Sequence, residues 1–222
     1  MTERQHRFIT PSVIIACGCL IAMIAFGVRS TAGLFVTPVT ETYGWGREIY
    51  GFAFAVQNLI WGVAQPLVGA FADKLGAVRV VIAGSVVYAA GVIIMAFADT
   101  VLLFNLGAGV LIGLGIAATS FAIIMPAFGR MVPPEKRSWA FGMATAASSM
   151  GQLVFAPLGQ AFIAAFGWQM ALVYLSVFLA LMIPLVLPFM AAKDAEGNNA
   201  ADEPAFSLPT VISQAFSHTS YL

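Results

Sequence analysis

The sequence predicts an all-α membrane protein of six transmembrane helices. Two observations carry that prediction. Sixty per cent of the 222 residues are hydrophobic and 9% are charged, and the mean hydropathy is +0.92. A soluble domain is about a quarter charged, and a core of this size cannot hide so much apolar surface from water. The second observation is spacing. Charge-free windows recur at the roughly 20 residues that a spanning helix needs.

The first window runs from Phe8 to Val28 and, after Arg29, continues to about Pro38. The basic start at Arg4 and Arg7 resembles a signal peptide. However, Pro11 interrupts the apolar run, which continues far past Ile14-Ile15-Ala16-Cys17, so a retained span is expected. The second window is Ile49 to Ala72, the third Val80 to Ala98, and the fourth Thr100 to about Phe128. From Ser138 to Ala192 there is no charge, which is too long for one span. Gly167-Trp168-Gln169 offers a turn glycine and an interfacial tryptophan, dividing that stretch into spans near 139–165 and 168–190.

Charge asymmetry sets the expected orientation. Arg4, Arg7, Lys74, Arg79, Arg130, Lys136, Arg137 and Lys193 fall on one side of a six-span bundle, and Arg47 alone falls on the other. Both termini are therefore expected in the cytoplasm, with the bundle multi-pass in the plasma membrane. Residues 1–190 form the bundle. Residues 191–222 begin with the acidic, small-residue stretch KDAEGNNAADEP, a cytoplasmic linker, and become amphipathic as if a seventh helix were starting.

Other features exclude function classes. Net charge is zero with no basic block, so nucleic acid is not an expected partner. Cys17 and Cys19, two apart on a helix, point to different faces and should not pair. His6 and His218 lie in polar surroundings near opposite ends of the chain. No nucleotide loop, metal-ligand cluster or Ser/His/Asp set occurs, so no enzyme, cofactor or metal is expected.

A repeat lies inside the chain. Pro66-Leu67-Val68-Gly69-Ala70-Phe71-Ala72-Asp73-Lys74-Leu75-Gly76 and Pro157-Leu158-Gly159-Gln160-Ala161-Phe162-Ile163-Ala164-Ala165-Phe166-Gly167 share Pro, Leu, Ala, Phe and Gly at matching offsets. The first copy ends span two and the second ends span five, at opposite faces of the bilayer. That is the pattern of an inverted 3+3 repeat. Asp73, Lys74 and Arg79 have no charged counterparts in the second copy. The positive-inside bias accounts for Lys74 and Arg79 but not for Asp73, for which a specific local pairing is expected.

The stretch Gly69 to Arg79, GAFADKLGAVR, resembles the loop signature G-x-x-x-D-[RK]-x-G-x-[RK]-[RK] of the major facilitator superfamily, through Gly69, Asp73, Lys74, Gly76 and Arg79. Val78 departs from it. The resemblance covers nearly the whole chain and implies the first half of a twelve-helix fold. It also implies a conformational latch at this loop, with Asp73 pairing partly with a helix N-terminus in a second half. Pro133-Pro134-Glu135-Lys136-Arg137 is weakly similar to the equivalent loop of the second repeat. The missing partner is then a second six-helix half or, less favoured, a parallel homodimer mate.

Arg29 stands about two-thirds of the way through span one. Arginine at a helix centre costs about 2.5–3.5 kcal/mol on insertion scales. Two readings stand side by side: a side chain snorkelling to the surface, or one facing a water-filled cavity and binding an anion through its bidentate fork. Gly27 and Gly33 flank it. FGVRSTAGLF with PVTETYGWGRE, and Ala156-Pro157-Leu158-Gly159, are similar to the monocarboxylate and oxalate–formate type transporters. That similarity implies a small organic anion as substrate. Gln57, Trp61 and Gln65 recur every four residues on span two, with Asn58 beside them, and Thr145, Ser149 and Gln152 form a face of span five. These are candidate cavity residues, or else interhelical hydrogen-bonding groups. Gly107, Gly109, Gly113 and Gly115 suit close helix packing. No carboxylate lies at membrane depth, so a coupling proton would need a group elsewhere or the substrate's own acid. A non-transporting six-span scaffold or assembly module is the alternative reading.

Overall fold

The computed structural model describes residues 11–120, 123 and 132–195; of Pro11 and of residues 190–195 it describes the backbone only. The linker expected at 191–222 lies largely outside these residues, as does the end of span four toward Phe128. The described residues are helical apart from short turns. Helix α1 (Pro11–Ser30) passes through a 3-10 turn (Thr31–Phe35) into α2 (Val36–Tyr43). Then come α3 (Arg47–Leu75) and α4 (Ala77–Phe97). Next are α5 (Val101–Phe104), a π-helical segment (Asn105–Leu111) and α6 (Ile112–Ala118), which run as one rod. Helix α7 spans Pro134–Ala195.

Five of these stretches are long and apolar enough to cross a membrane: Ser12–Tyr43, Arg47–Leu75, Ala77–Phe97, Val101–Ala118 and Pro134–Phe189. The last, of 56 residues, is broken at Gly167, where φ is 80° and ψ 162°. A straight helix would set Phe155 and Phe178 about 34 Å apart, yet their ring centroids are 5.3 Å apart. Tyr174 likewise touches Phe162 and Phe166. The chain therefore doubles back at Gly167, and α7 is two antiparallel arms. Gly76, its counterpart in the sequence repeat, takes φ 92° and ψ 136° between α3 and α4. The Gly167 backbone region is nearly closed to residues with a Cβ, at about 1–3 kcal/mol. Gly167→Ala is expected to lower stability by about that amount, read as a fall in melting temperature in detergent.

Helix boundaries follow local chemistry. The Thr100 hydroxyl caps α5 by accepting from the Leu103 amide at 3.2 Å, which satisfies one of the free donors at a helix start. Pro134 opens α7, where its missing N–H is no loss. In α1, Ser30 and Thr31 donate their hydroxyls to the carbonyls of Gly27 and Val28, each at 2.7 Å. Such back-bonding competes with the helical ladder, and the helix tightens to 3-10 at that point.

Helix α1 packs most extensively on α7, which also carries α4; α3 packs on the π segment and α6. Between apolar helices in lipid, close approach rather than water exclusion holds the bundle together. The glycines show where this matters most. A Cβ on Gly151 would overlap the Met23 backbone, and one on Gly27 would overlap the Phe155 ring. One on Gly113 would sit 2.8 Å from the Gln57 carbonyl, and one on Gly107 3.0 Å from that of Gly91. The returning arm of α7 buries Leu172, Leu175, Leu179, Met182, Val186 and Phe189, a three-four spacing that makes one inward stripe.

Candidate functional site

Arg29 lies just past the middle of Ser12–Tyr43 rather than two-thirds along the charge-free window, because the described helix runs on through α2 to Tyr43. About 20 Å of helix remains on each side, more than the roughly 15 Å half-thickness of a hydrocarbon core. The guanidinium does not run out toward a headgroup level. It crosses to α3, where Nη2 donates to Asn58 Oδ1 at 2.8 Å. Its plane lies 4.6 Å from the Trp61 ring centre and 5.9 Å from that of Phe54. Asn58 is held in turn, its Nδ2 donating to the Phe54 carbonyl at 2.7 Å. Helices α1 and α3 make little direct backbone contact, so this side chain bridges a gap between them.

The candidate residues separate into three groups. Arg29, Asn58 and Trp61 come together, joined by Phe54, which the sequence reading missed. Gln65 departs toward the fourth rod, where its Nε2 donates to Ser120 Oγ at 3.3 Å. Gln57 turns inward and is 5% exposed. Thr145, Ser149 and Gln152 lie exposed along the first arm of α7, and the two hydroxyls bond back to their own helix. No bond joins them to the Arg29 cluster among the described residues.

Behind Arg29 is a cavity of about 40 Å³, lined among others by Thr31, Tyr50, Gln57, Tyr88, Ala108 and Leu175. The 3-10 turn borders it on one side and the π segment on another. Departures from α-helix of these kinds tend to mark functional positions. Arg29 Nε, Gln57 Oε1 and Trp61 Nε1 are buried without a bonding partner among the described residues. An unbonded guanidinium N–H at this depth is a donor awaiting an acceptor.

At the loop between α3 and α4, Asp73, Lys74 and Arg79 are exposed. Among the described residues, no ion pair or hydrogen bond joins Asp73 to another; Arg130, a basic residue of the next cytoplasmic-side loop, lies outside the described residues. Glycine is required at Gly76 by its positive φ.

A helical bundle of long apolar spans defines an integral membrane protein of the multi-pass type. Residues 18–221 match the Major Facilitator Superfamily, and the chain belongs to that family. It is similar to monocarboxylate transporter 11 of Homo sapiens, with 29% identity over 79% of this chain and 38% of the relative. It is also similar to the oxalate:formate antiporter of Oxalobacter formigenes, with 31% identity over 75% of this chain and 39% of the relative. A probable sulfoacetate transporter of Cupriavidus necator is 26% identical over 77% and 39% respectively. The chain thus spans about two-fifths of the length of these relatives.

Proposed function

We propose that this chain is the first six-helix half of a secondary transporter that moves a small organic anion across the plasma membrane by alternating access, with Arg29 as the anion's charge partner. The observation that carries the reading is a permanent cation at mid-depth, steered inside the bundle by Asn58 and Trp61 with one N–H left unbonded. A charge at membrane depth without a carboxylate partner is costly, and a substrate carboxylate or sulfonate supplies the missing charge. The named substrates of the relatives, monocarboxylate, sulfoacetate, oxalate and formate, are all of this chemistry. The two arms of α7 count as spans five and six, and the positive-φ glycines at 76 and 167 support the inverted repeat. Thr145, Ser149 and Gln152 would complete the polar path from the α7 side. The exposed Gly69–Arg79 loop serves as the latch toward a second half or a second copy, with the termini cytoplasmic.

Counterflow in liposomes tests the function. Protein preloaded with oxalate, formate, lactate or sulfoacetate should show saturable exchange of at least one, with no exchange of a neutral amide of equal size. Absence of saturable flux for every carboxylate and sulfonate favours the scaffold reading instead. Trp61→Leu removes the ring beneath the guanidinium. A cation–π contact is worth about 0.5–2 kcal/mol, so a rise of about 2- to 30-fold in half-saturating anion concentration is expected.

A further inference from the structure

Gln57 is a problem that the transport reading leaves unsolved. It is 5% exposed and has a carboxamide oxygen that no group among the described residues satisfies. Arg29 Nε has the same defect, and both residues line the one cavity. Buried polar groups in native proteins are bonded to protein or to ordered water, so two such defects on one small void have a common cause.

We propose that the cavity behind Arg29 is a built water site, and that Gln57 is a positioning residue that holds the guanidinium through that water. Three features fit. The volume, about 40 Å³, exceeds the roughly 10–15 Å³ one water needs, leaving room for two or three. The partners suffice: Nε–H of Arg29 donates, Oε1 of Gln57 accepts, and the hydroxyls of Tyr50 and Tyr88 border the same space. Tyr88 is held only by a long 3.5 Å bond to the Ala25 carbonyl, so its proton is free to turn toward water. Finally, the space is bordered by two departures from α-helix, the 3-10 turn at Thr31–Phe35 and the π segment at Asn105–Leu111. The guanidinium is then fixed on two sides, by Asn58 directly and by Gln57 through water. Only the second tether can be altered without touching the open face.

The test has two arms, the first independent of transport. Radiolytic hydroxyl-radical footprinting of the protein in detergent, with no anion present, reads water beside buried side chains. Met95 lines the cavity and is 4% exposed; Met182 is 0% exposed and lies elsewhere. Met95 should oxidise at least about tenfold faster than Met182, and Gln57→Leu should remove most of that difference. Equal rates for the two methionines in the unsubstituted protein overturn the water site, whether or not the variant folds. The second arm rests on the anion-transport reading and concerns positioning. Gln57→Leu removes the water-mediated tether and is expected to raise the half-saturating anion concentration at least fivefold while the maximal rate changes less than twofold. Equal half-saturating concentrations in variant and parent overturn the positioning role. Should no anion flux exist at all, the transport reading falls, and footprinting still decides the water site.

Discussion

Arg29→Ala is expected to reduce anion uptake by about 100-fold or more while leaving the amount of folded protein in the membrane unchanged or raised. Two charge-assisted hydrogen bonds to an anion contribute about 1.5–3 kcal/mol each, and every 1.4 kcal/mol is tenfold. The sign of the stability effect follows from the environment. The guanidinium is at mid-depth with no carboxylate beside it, so removing it relieves a desolvation cost. It also forfeits the Asn58 bond and the Trp61 contact, which offset part of that relief. A residue kept for stability would show the reverse pattern, with lower abundance and a specific activity that is preserved. Arg29→Lys refines the result. Lysine retains the charge but not the planar fork or the stacking on Trp61, so a loss of about tenfold, intermediate between parent and alanine, is expected. Uptake measured per mole of purified protein in liposomes, with abundance by quantitative blot, checks both variants. Full activity of Arg29→Ala removes the residue from the site.

Gly151→Leu is expected to destabilise the bundle by about 3 kcal/mol or more. The first arm of α7 meets α1 at Gly151 and Phe155 and the 3-10 turn at Gly159, all three buried. At Gly151 a single added carbon would already overlap the Met23 carbonyl, and backbone cannot swing aside as a flexible side chain can. Since close approach is the main source of helix association in lipid, forcing these helices apart removes the seam. Gly142 is the control on the same helix. Nothing lies within 4 Å of a Cβ built there, and Gly142→Ala should stabilise slightly, by about 0.5–1 kcal/mol, through loss of unfolded-state freedom. Opposite shifts in detergent melting temperature would establish that packing, not helix propensity, sets the cost.

The long periodicities of the sequence transferred well to the structure. Four of the expected spans correspond to separate helices, and the break at Gly167 stands where turn chemistry placed it. Its torsion angles explain why glycine is there. The finer geometry was less legible. On α3, Gln57, Trp61 and Gln65 looked like one face because they recur every four residues. But each step of four advances about 40° beyond a full turn, so Gln57 and Gln65 lie on opposite flanks of Trp61. The stripe that meets Arg29 is Phe54, Asn58 and Trp61, with a four-three spacing that stays in register with the helix. A phenylalanine carries no polar signal, and Phe54 was overlooked for that reason, although it is exposed. The 3-10 and π segments were not visible either. Gly107 and Gly109 suggested close packing, which the structure bears out, but glycine content does not specify an extra residue in the turn.

One end of the bundle is cross-braced. Trp168, at the fold of α7, donates its indole N–H to Thr42 of α2 at 3.0 Å and meets the Tyr43 ring edge-on. Tyr43 stacks on Trp45, Trp45 abuts Phe104 at the head of the fourth rod, and Phe104 abuts Tyr50 of α3. An unbroken belt of rings thus ties four separate rods at one rim, and the Tyr50 hydroxyl anchors it to the Ala32 carbonyl beside the arginine. A basket hooped in this way resists the splaying of its own staves. On the transport reading proposed above, an entrance at that rim would form as the whole unit swings against a neighbour.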